Sequence, residues 1–220
     1  MDRRTLLTAA SVGTISTLSG CLADTTDDAV LETGSADIEW PNVTVSTTIG
    51  DEELAAAFAF EGKVTRQPTA ANPPQLTLEV RNDGDDPYEV EIPYPYPWRH
   101  YGGIHANEAA AIHLIPDDTE NLSADPDQDQ PDEWVPEAPT DGCWTAKTEI
   151  RPVWPDVGYP TVELHPGEQK GGTFTVLSSP RNNMCFPRGT YEFSDERLTI
   201  GHPEDAALDL TLRLSVTDSE

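Results

Sequence analysis

From Leu208 to Val216 every second residue is apolar: Leu208, Leu210, Leu212, Leu214 and Val216, with Asp209, Thr211, Arg213 and Ser215 between them. An extended strand turns successive side chains to opposite faces, so this run has one apolar face and one polar face. Wound as a helix, the same residues would split between two opposite faces, so no single face would carry the apolar set. The alternation recurs upstream. Leu76, Leu78 and Val80 alternate with Thr77, Glu79 and Arg81, and Tyr88, Val90 and Ile92 follow after the turn "NDGDDP". "NVTVSTTI" at 42–49 is β-branched, and "FAFEGKVT" at 58–65 puts Phe58 and Phe60 on one face. "AIHLI" at 111–115, Thr173 to Leu177 and Tyr191 to Phe193 complete a set of about eight strands. Helical signals are confined to Glu52–Ala57 and Asn107–Ala111, a turn or two each. The chain is expected to be all-β, with its strands in a two-sheet antiparallel sandwich.

The N-terminus has a different organisation. Arg3 and Arg4 precede a 13-residue apolar stretch, Leu6 to Leu18, diluted by Thr, Ser and Gly. A bilayer span needs about 20 apolar residues, so the run is too short for a membrane helix and has the form of an export signal. The paired arginines before Thr5, Leu6 and Leu7 resemble a twin-arginine signal. "LSGC" at 18–21 resembles the lipobox of secreted lipoproteins, which implies cleavage before Cys21 and lipid on its thiol. The expected organisation is a signal at 1–20, a lipidated flexible linker at 21–37 and one domain at 38–220.

The chain has 40 acidic against 13 basic residues, a net charge of −27. Loss of residues 1–20 removes Asp2, Arg3 and Arg4 and leaves a net of −28. Such a surplus repels phosphate and excludes nucleic acid as a partner. Only Lys63, Lys147 and Lys170 are lysines. An acid-rich, lysine-poor surface suits molar salt, where the Debye length falls to about 3 Å and self-repulsion is screened. In this respect the chain resembles the twin-arginine-exported lipoproteins of haloarchaea.

Two motifs carry a resemblance for the domain, over roughly residues 55–217. "PRGTYEF" at 187–193 resembles the Gly-x-Tyr start of a late strand in immunoglobulin-like domains, whose Tyr anchors a corner. The layout of a hydrophobic strand, the "N-x-G" turn at 82–84 and "PGE" at 166–168 is similar to β-sandwich domains of the BsuPI proteinase-inhibitor type. The resemblance implies an immunoglobulin-like sandwich. No inhibitory loop motif accompanies it, so no inhibitory activity is implied.

With Cys21 assigned to lipid, Cys143 and Cys185 remain. In an oxidising compartment they are expected to pair. The competing reading is a metal site of blue-copper type, with Met184 beside Cys185, but no His follows either cysteine closely. Between them and the strands, residues 116–142 are rich in Asp, Glu and Pro and read as a long solvated loop insertion, not a strand. "DPDQDQPDE" spaces acids like a calcium loop but lacks the central Gly and the closing Glu of an EF-hand.

The remaining unusual stretch is "PYPYPWRHY" at 93–101. In extended backbone Tyr94, Tyr96 and Trp98 share a face, and the prolines bar it from a central strand. It is either an aromatic platform, with Arg99, His100 and Tyr101 beside it, or a strap closing an end of the sandwich. His100, His105 and His113 fit no metal spacing. Asn42 and Asn121 match the N-glycan acceptor pattern, with Asn121, in the expected loop, the better candidate of the two. No nucleophile elbow, zincin helix or phosphate loop is present, and no cofactor is implied. The leading expectation is a non-enzymatic binding or scaffolding protein, lipid-anchored on the outer face of the membrane, with an unknown protein, glycan or small-molecule partner. The alternatives are a metal- or small-ligand-binding redox or transport accessory protein and an unidentified hydrolase.

Overall fold

The computed structural model of the chain describes residues 39–91, 102–107, 109–120, 122–124, 126–152, 160–201 and 206–219. Within them lie twelve strands and one four-residue helix. In chain order these are β1 (Asn42–Ile49), α1 (Glu52–Ala55), β2 (Phe58–Arg66), β3 (Gln75–Asn82), β4 (Tyr88–Glu91), β5 (Gly102–His105) and β6 (Ala111–Pro116). They continue as β7 (Leu122–Ala124), β8 (Ile150–Pro152), β9 (Thr161–Leu164), β10 (Gln169–Ser178), β11 (Gly189–Gly201) and β12 (Ala206–Thr217).

All eight stretches expected from the alternation are strands over their described residues, Ile92 lying outside these. The count is corrected upward by β5, β7, β8 and β9, which are only three or four residues long. Strands this short show no periodicity to read. The helix expected near 52 is α1, with the Asp51 carboxylate accepting from the backbone N–H groups of Glu53 and Leu54 at its N-terminus. The helix expected at 107–111 is replaced by a hairpin: Ile104 pairs with Ala111, and His105 N donates to Ala110 O.

Ten strands form one antiparallel sheet. Its main path runs β1-β12-β11-β5-β6-β10-β3-β2, with β4 on β11 and β9 on β4. β7 and β8 form a separate two-stranded ribbon. The thirteen-residue β11 pairs with β5 at Tyr191 and Glu192 and with β4 from Thr199 to Gly201. Its register with β12 shifts between Asp195 and Leu198. Such an irregularity bends a strand and lets one strand serve two neighbours. The two ends of the path also meet: Thr47 Oγ1 on β1 donates to Phe60 O on β2. Gly62 on β2 is needed there, because a Cβ would come within 2.9 Å of the Val45 side chain.

The core is the inward face of these strands. Val43, Leu76, Leu78, Val80, Leu114, Phe174, Leu210, Leu212 and Leu214 are fully buried. The alternation of β12 runs in register against β1 and β11, so its leucines meet apolar partners at Val45, Tyr191 and Phe193. Tyr191 is wholly buried and its hydroxyl donates to Pro187 O at 2.7 Å, four residues upstream. The Tyr of the Gly-x-Tyr motif thus ties the start of β11 to the loop before it. The "N-x-G" and "PGE" turns are bound to each other through Asn82. Its carboxamide donates to Asp86 O and Leu164 O and accepts from Gly84 N, and its backbone exchanges bonds with Gly167 and Glu168.

Residues 116–142 depart from the expected solvated loop. β7 lies inside them and pairs with β8, and Leu122, Ala124 and Trp134 are buried with the core. The acids of "DPDQDQ" alternate with glutamines that tie the segment down. Gln130 accepts from Ala124 N and donates to Leu122 O. Gln128 accepts from Thr148 Oγ1 and from Glu149 N. The physical reason is that β6 and β10 are apolar on both faces. Ile112, Leu114 and Val176 point one way, Ile115 and Leu177 the other, and all are buried. A sheet apolar on both sides requires cover on both sides, and the excursion provides part of it.

Candidate functional site

Cys143 and Cys185 are joined, with an S–S distance of 2.09 Å. Cys143 closes a two-residue turn in which Thr140 and Cys143 exchange backbone hydrogen bonds of 2.9 Å. Asp141 and Gly142 form it with positive φ angles of 49° and 73°. Asp-Gly is the pair that accepts such angles most readily. Beyond the bond, the chain runs beside the end of β10: Ser178 N donates to Trp144 O, and Ala146 N donates to Ser178 O. The Trp144 indole is buried and donates to Thr69 O at 2.7 Å. Cys185 lies in the loop from β10 to β11, just before the buried Phe186, which holds a φ of 40°. The disulfide therefore staples the end of the excursion to the loop before β11.

A cleft of about 570 Å³ opens beside this staple. Thr140, Asp141, Thr145 and Lys147 line one side, and Ser178, Ser179, Asn182 and Met184 the other. Asp141 is its one acid and Lys147 its one base. On a chain with three acids to each base, this is a charge-balanced patch. Lys147 has no carboxylate partner among the described residues, whereas Arg81, Lys170, Arg188 and Arg213 each have one. Asn182 is fixed as a wall, exchanging two bonds with the backbone of Ala111 and donating to Ser178 Oγ. Met184 is 64 % exposed at the rim.

Behind the cleft lies a buried polar relay. Ser179 Oγ donates to Glu149 Oε1 at 2.6 Å, and Glu149 Oε2 lies 3.3 Å from His113 Nε2. Arg181 approaches the same carboxylate at 3.6 Å from the surface. The His113 ring is nearly closed off from solvent, and neither of its nitrogens makes a directed hydrogen bond. Its Nε2 nonetheless lies within hydrogen-bonding distance of Glu149 Oε2, and this contact is the main pull on the carboxylate. The Glu149 carboxyl is held down to about 2 by the His113 ring first, with burial opposing and Ser179 and Arg181 adding to the effect. A carboxylate this acidic is a weak base. The order of groups also differs from a nucleophilic relay, in which the imidazole stands between hydroxyl and carboxylate. Here the carboxylate stands in the middle, so Ser179 is held and not activated.

The other sequence-derived candidates fall as follows. His105 is a structural histidine: Nδ1 accepts from Asn107 N, Nε2 bonds Arg188 O, and the ring packs edge-on to Tyr191. Gly189, at φ 145°, makes room for it, since a Cβ there would lie 1.9 Å from Nε2. His105 and His113 are not brought together on one face, because Gly102 is the residue opposite His113. Among the described residues no three His, Cys, Asp or Glu side chains are placed to hold a metal ion. Asn42 begins β1. Cys21, Tyr94, Tyr96, Trp98, Arg99, His100, Tyr101 and Asn121 lie outside the described residues. Sequence reasoning missed Glu149, Ser179 and Lys147. The one signal available was "AIHLI", a strand apolar on both faces with a His in it, which demands a buried partner. Comparison with protein-family models, curated proteins and solved structures finds no match for this chain.

Proposed function

We propose that this chain is a lipid-anchored, extracytoplasmic binding or scaffolding protein adapted to high salt, with the cleft beside the disulfide as its binding surface. The observation that carries the reading is the Cys143–Cys185 bond. A disulfide persists in oxidising compartments, and an export signal ending in "LSGC" leads to one. The cleft suits a neutral or zwitterionic polar ligand: it is lined by small hydroxyl and amide side chains and its formal charges cancel. The acidity of Glu149 and the order Ser179–Glu149–His113 favour binding over a hydrolase.

The immunoglobulin-like sandwich belongs to the same proposal. Its supports are the meeting of β1 and β2 through Thr47, the shift in β11 and the corner made by Tyr191. The docking of the "N-x-G" and "PGE" turns through Asn82 supports the BsuPI-type layout. The accessory-protein alternative draws on His113, whose ring nitrogens lack hydrogen bonds. Metal analysis of the purified protein separates the two: bound transition metal in stoichiometric amount favours the alternative. The anchoring is tested by Cys21→Ser, which should move the protein from the membrane fraction to the medium or leave it uncleaved. A cleaved variant whose membrane association is unchanged refutes the anchor.

A further inference from the structure

The chain reads Trp40-Pro41-Asn42-Val43-Thr44 where β1 begins. Val43 is buried, while Thr44 is exposed and Asn42 half-buried. Strand alternation therefore puts Asn42 and Thr44 together on the outward face. An N-glycan acceptor needs this pair, an Asn carboxamide with a hydroxyl two residues on. The Asn42 carboxamide has no hydrogen-bond partner among the described residues. Asn82 and Asn182, by contrast, each spend their carboxamides on three bonds that hold turns or strands. Among the described residues the backbone of Asn42 joins the β1–β12 ladder, opposite Thr217, while its carboxamide is left unused.

Space and an aromatic wall adjoin it. Asn42 borders a cleft of about 410 Å³ together with Glu39, Trp40, Gln67 and Ser219. A second hollow of about 480 Å³ lies toward Thr217 and Asp218. Both volumes are in the range of small-ligand sites, roughly 300–1,000 Å³. Gln67 makes the wall rigid, because its amide exchanges two bonds with the Val43 backbone, 2.8 and 2.7 Å long. Trp40 is half-buried against the core, so its indole is held in place. A pyranose offers an apolar C–H face that an aromatic ring covers well, and polar neighbours suit its hydroxyl rim.

We propose that Asn42 is an N-glycan acceptor whose first pyranose seats in the cleft against Trp40. The inference rests on the export reading, since the chain must meet the glycosylating machinery outside the cytoplasm. The donor is a glycan carried on a lipid phosphate. A C–N bond forms between Asn42 Nδ2 and the anomeric carbon. The anomeric C–O bond breaks, its electron pair leaves on the lipid phosphate, and one Nδ2 proton goes to a base of the transferase. No oxidant or reductant is needed.

The test uses the full chain purified from the membrane fraction of a halophilic host, with mass spectrometry of the peptide that holds Asn42. Wild type and Thr44→Ser should carry a ladder of sugar masses on that peptide, and Asn42→Gln and Thr44→Val should lose it. The bare Thr44→Val protein should melt a few degrees below wild type, and this difference should vanish when both carry Trp40→Ala. Processed protein that is bare at Asn42 overturns this inference alone. Protein that retains residues 1–20 overturns the export reading and this inference with it. A glycan at Asn42 whose effect on melting is the same with and without Trp40 overturns the seating.

Discussion

Replacing Glu149 by Gln keeps the side chain's shape and its acceptor for Ser179 Oγ but removes the charge that faces His113. The ordinary carboxyl value of 4.5 falls to about 2 in the fold. Each unit is worth about 1.4 kcal/mol, so the full difference is about 3 kcal/mol. Part of it comes from Arg181, whose side chain is 69 % exposed and therefore screened. The Glu149 side chain is itself 16 % exposed, so roughly 2 kcal/mol is expected to survive. The folded value lies below the unfolded one. The stabilisation is therefore fully present above pH 4.5 and is lost as pH falls toward about 2. Urea unfolding of wild type and Glu149→Gln in about 1 M salt, at about pH 7 and about pH 3, reads this directly. The variant should be less stable by roughly 2 kcal/mol at the higher pH, with the gap less than half as large at the lower one. The other carboxylates titrate in both proteins and cancel in the comparison. A gap that is absent at neutral pH, or equally large at both, would refute the account of the relay.

Three further outcomes are expected. Tyr191→Phe leaves Pro187 O without its buried donor and should cost about 1–2 kcal/mol in urea unfolding, and no loss would remove the corner from the account. Thiol titration of unfolded, unreduced protein should find no free thiol from Cys143 or Cys185; their joint replacement by Ser should destabilise by up to about 4 kcal/mol, the chain-entropy value for a sequence separation of 42, and two free thiols would defeat the bond. The melting temperature should rise steadily from low to molar salt as repulsion among the carboxylates is screened, and a flat profile would contradict the halophilic reading.

The strands were legible where one face is apolar and the other polar. β3 shows this from Leu76 to Val80 and β12 from Leu208 to Val216, so sequence and structure coincide there. β5 was hidden because Gly102 and Gly103 contribute no side chains to a pattern; a Cβ on Gly103 would lie 2.3 Å from the Phe193 ring. The excursion at 116–142 was misread for a different cause. Its composition is that of a solvated loop; Leu122 and Ala124 alternate over only three residues, and Trp134 is buried from a stretch with no period. The staple was legible because, with Cys21 assigned to lipid, the two remaining cysteines allow one pairing. The relay was not, because Glu149 is one acid among 40 and only the tertiary structure sets it against His113. Lys147 stood out as one of three lysines, yet the cleft it borders is made by turns that sequence places only roughly.

The central claim is that this domain works outside the cell, held to the membrane by Cys21. Mass spectrometry of the intact protein, extracted from the membrane fraction of a halophilic host, tests it most directly. The account predicts a mature chain that begins at Cys21, with added mass of lipid on that residue. A chain that begins at Met1, or a mature chain whose Cys21 carries no lipid, would contradict it.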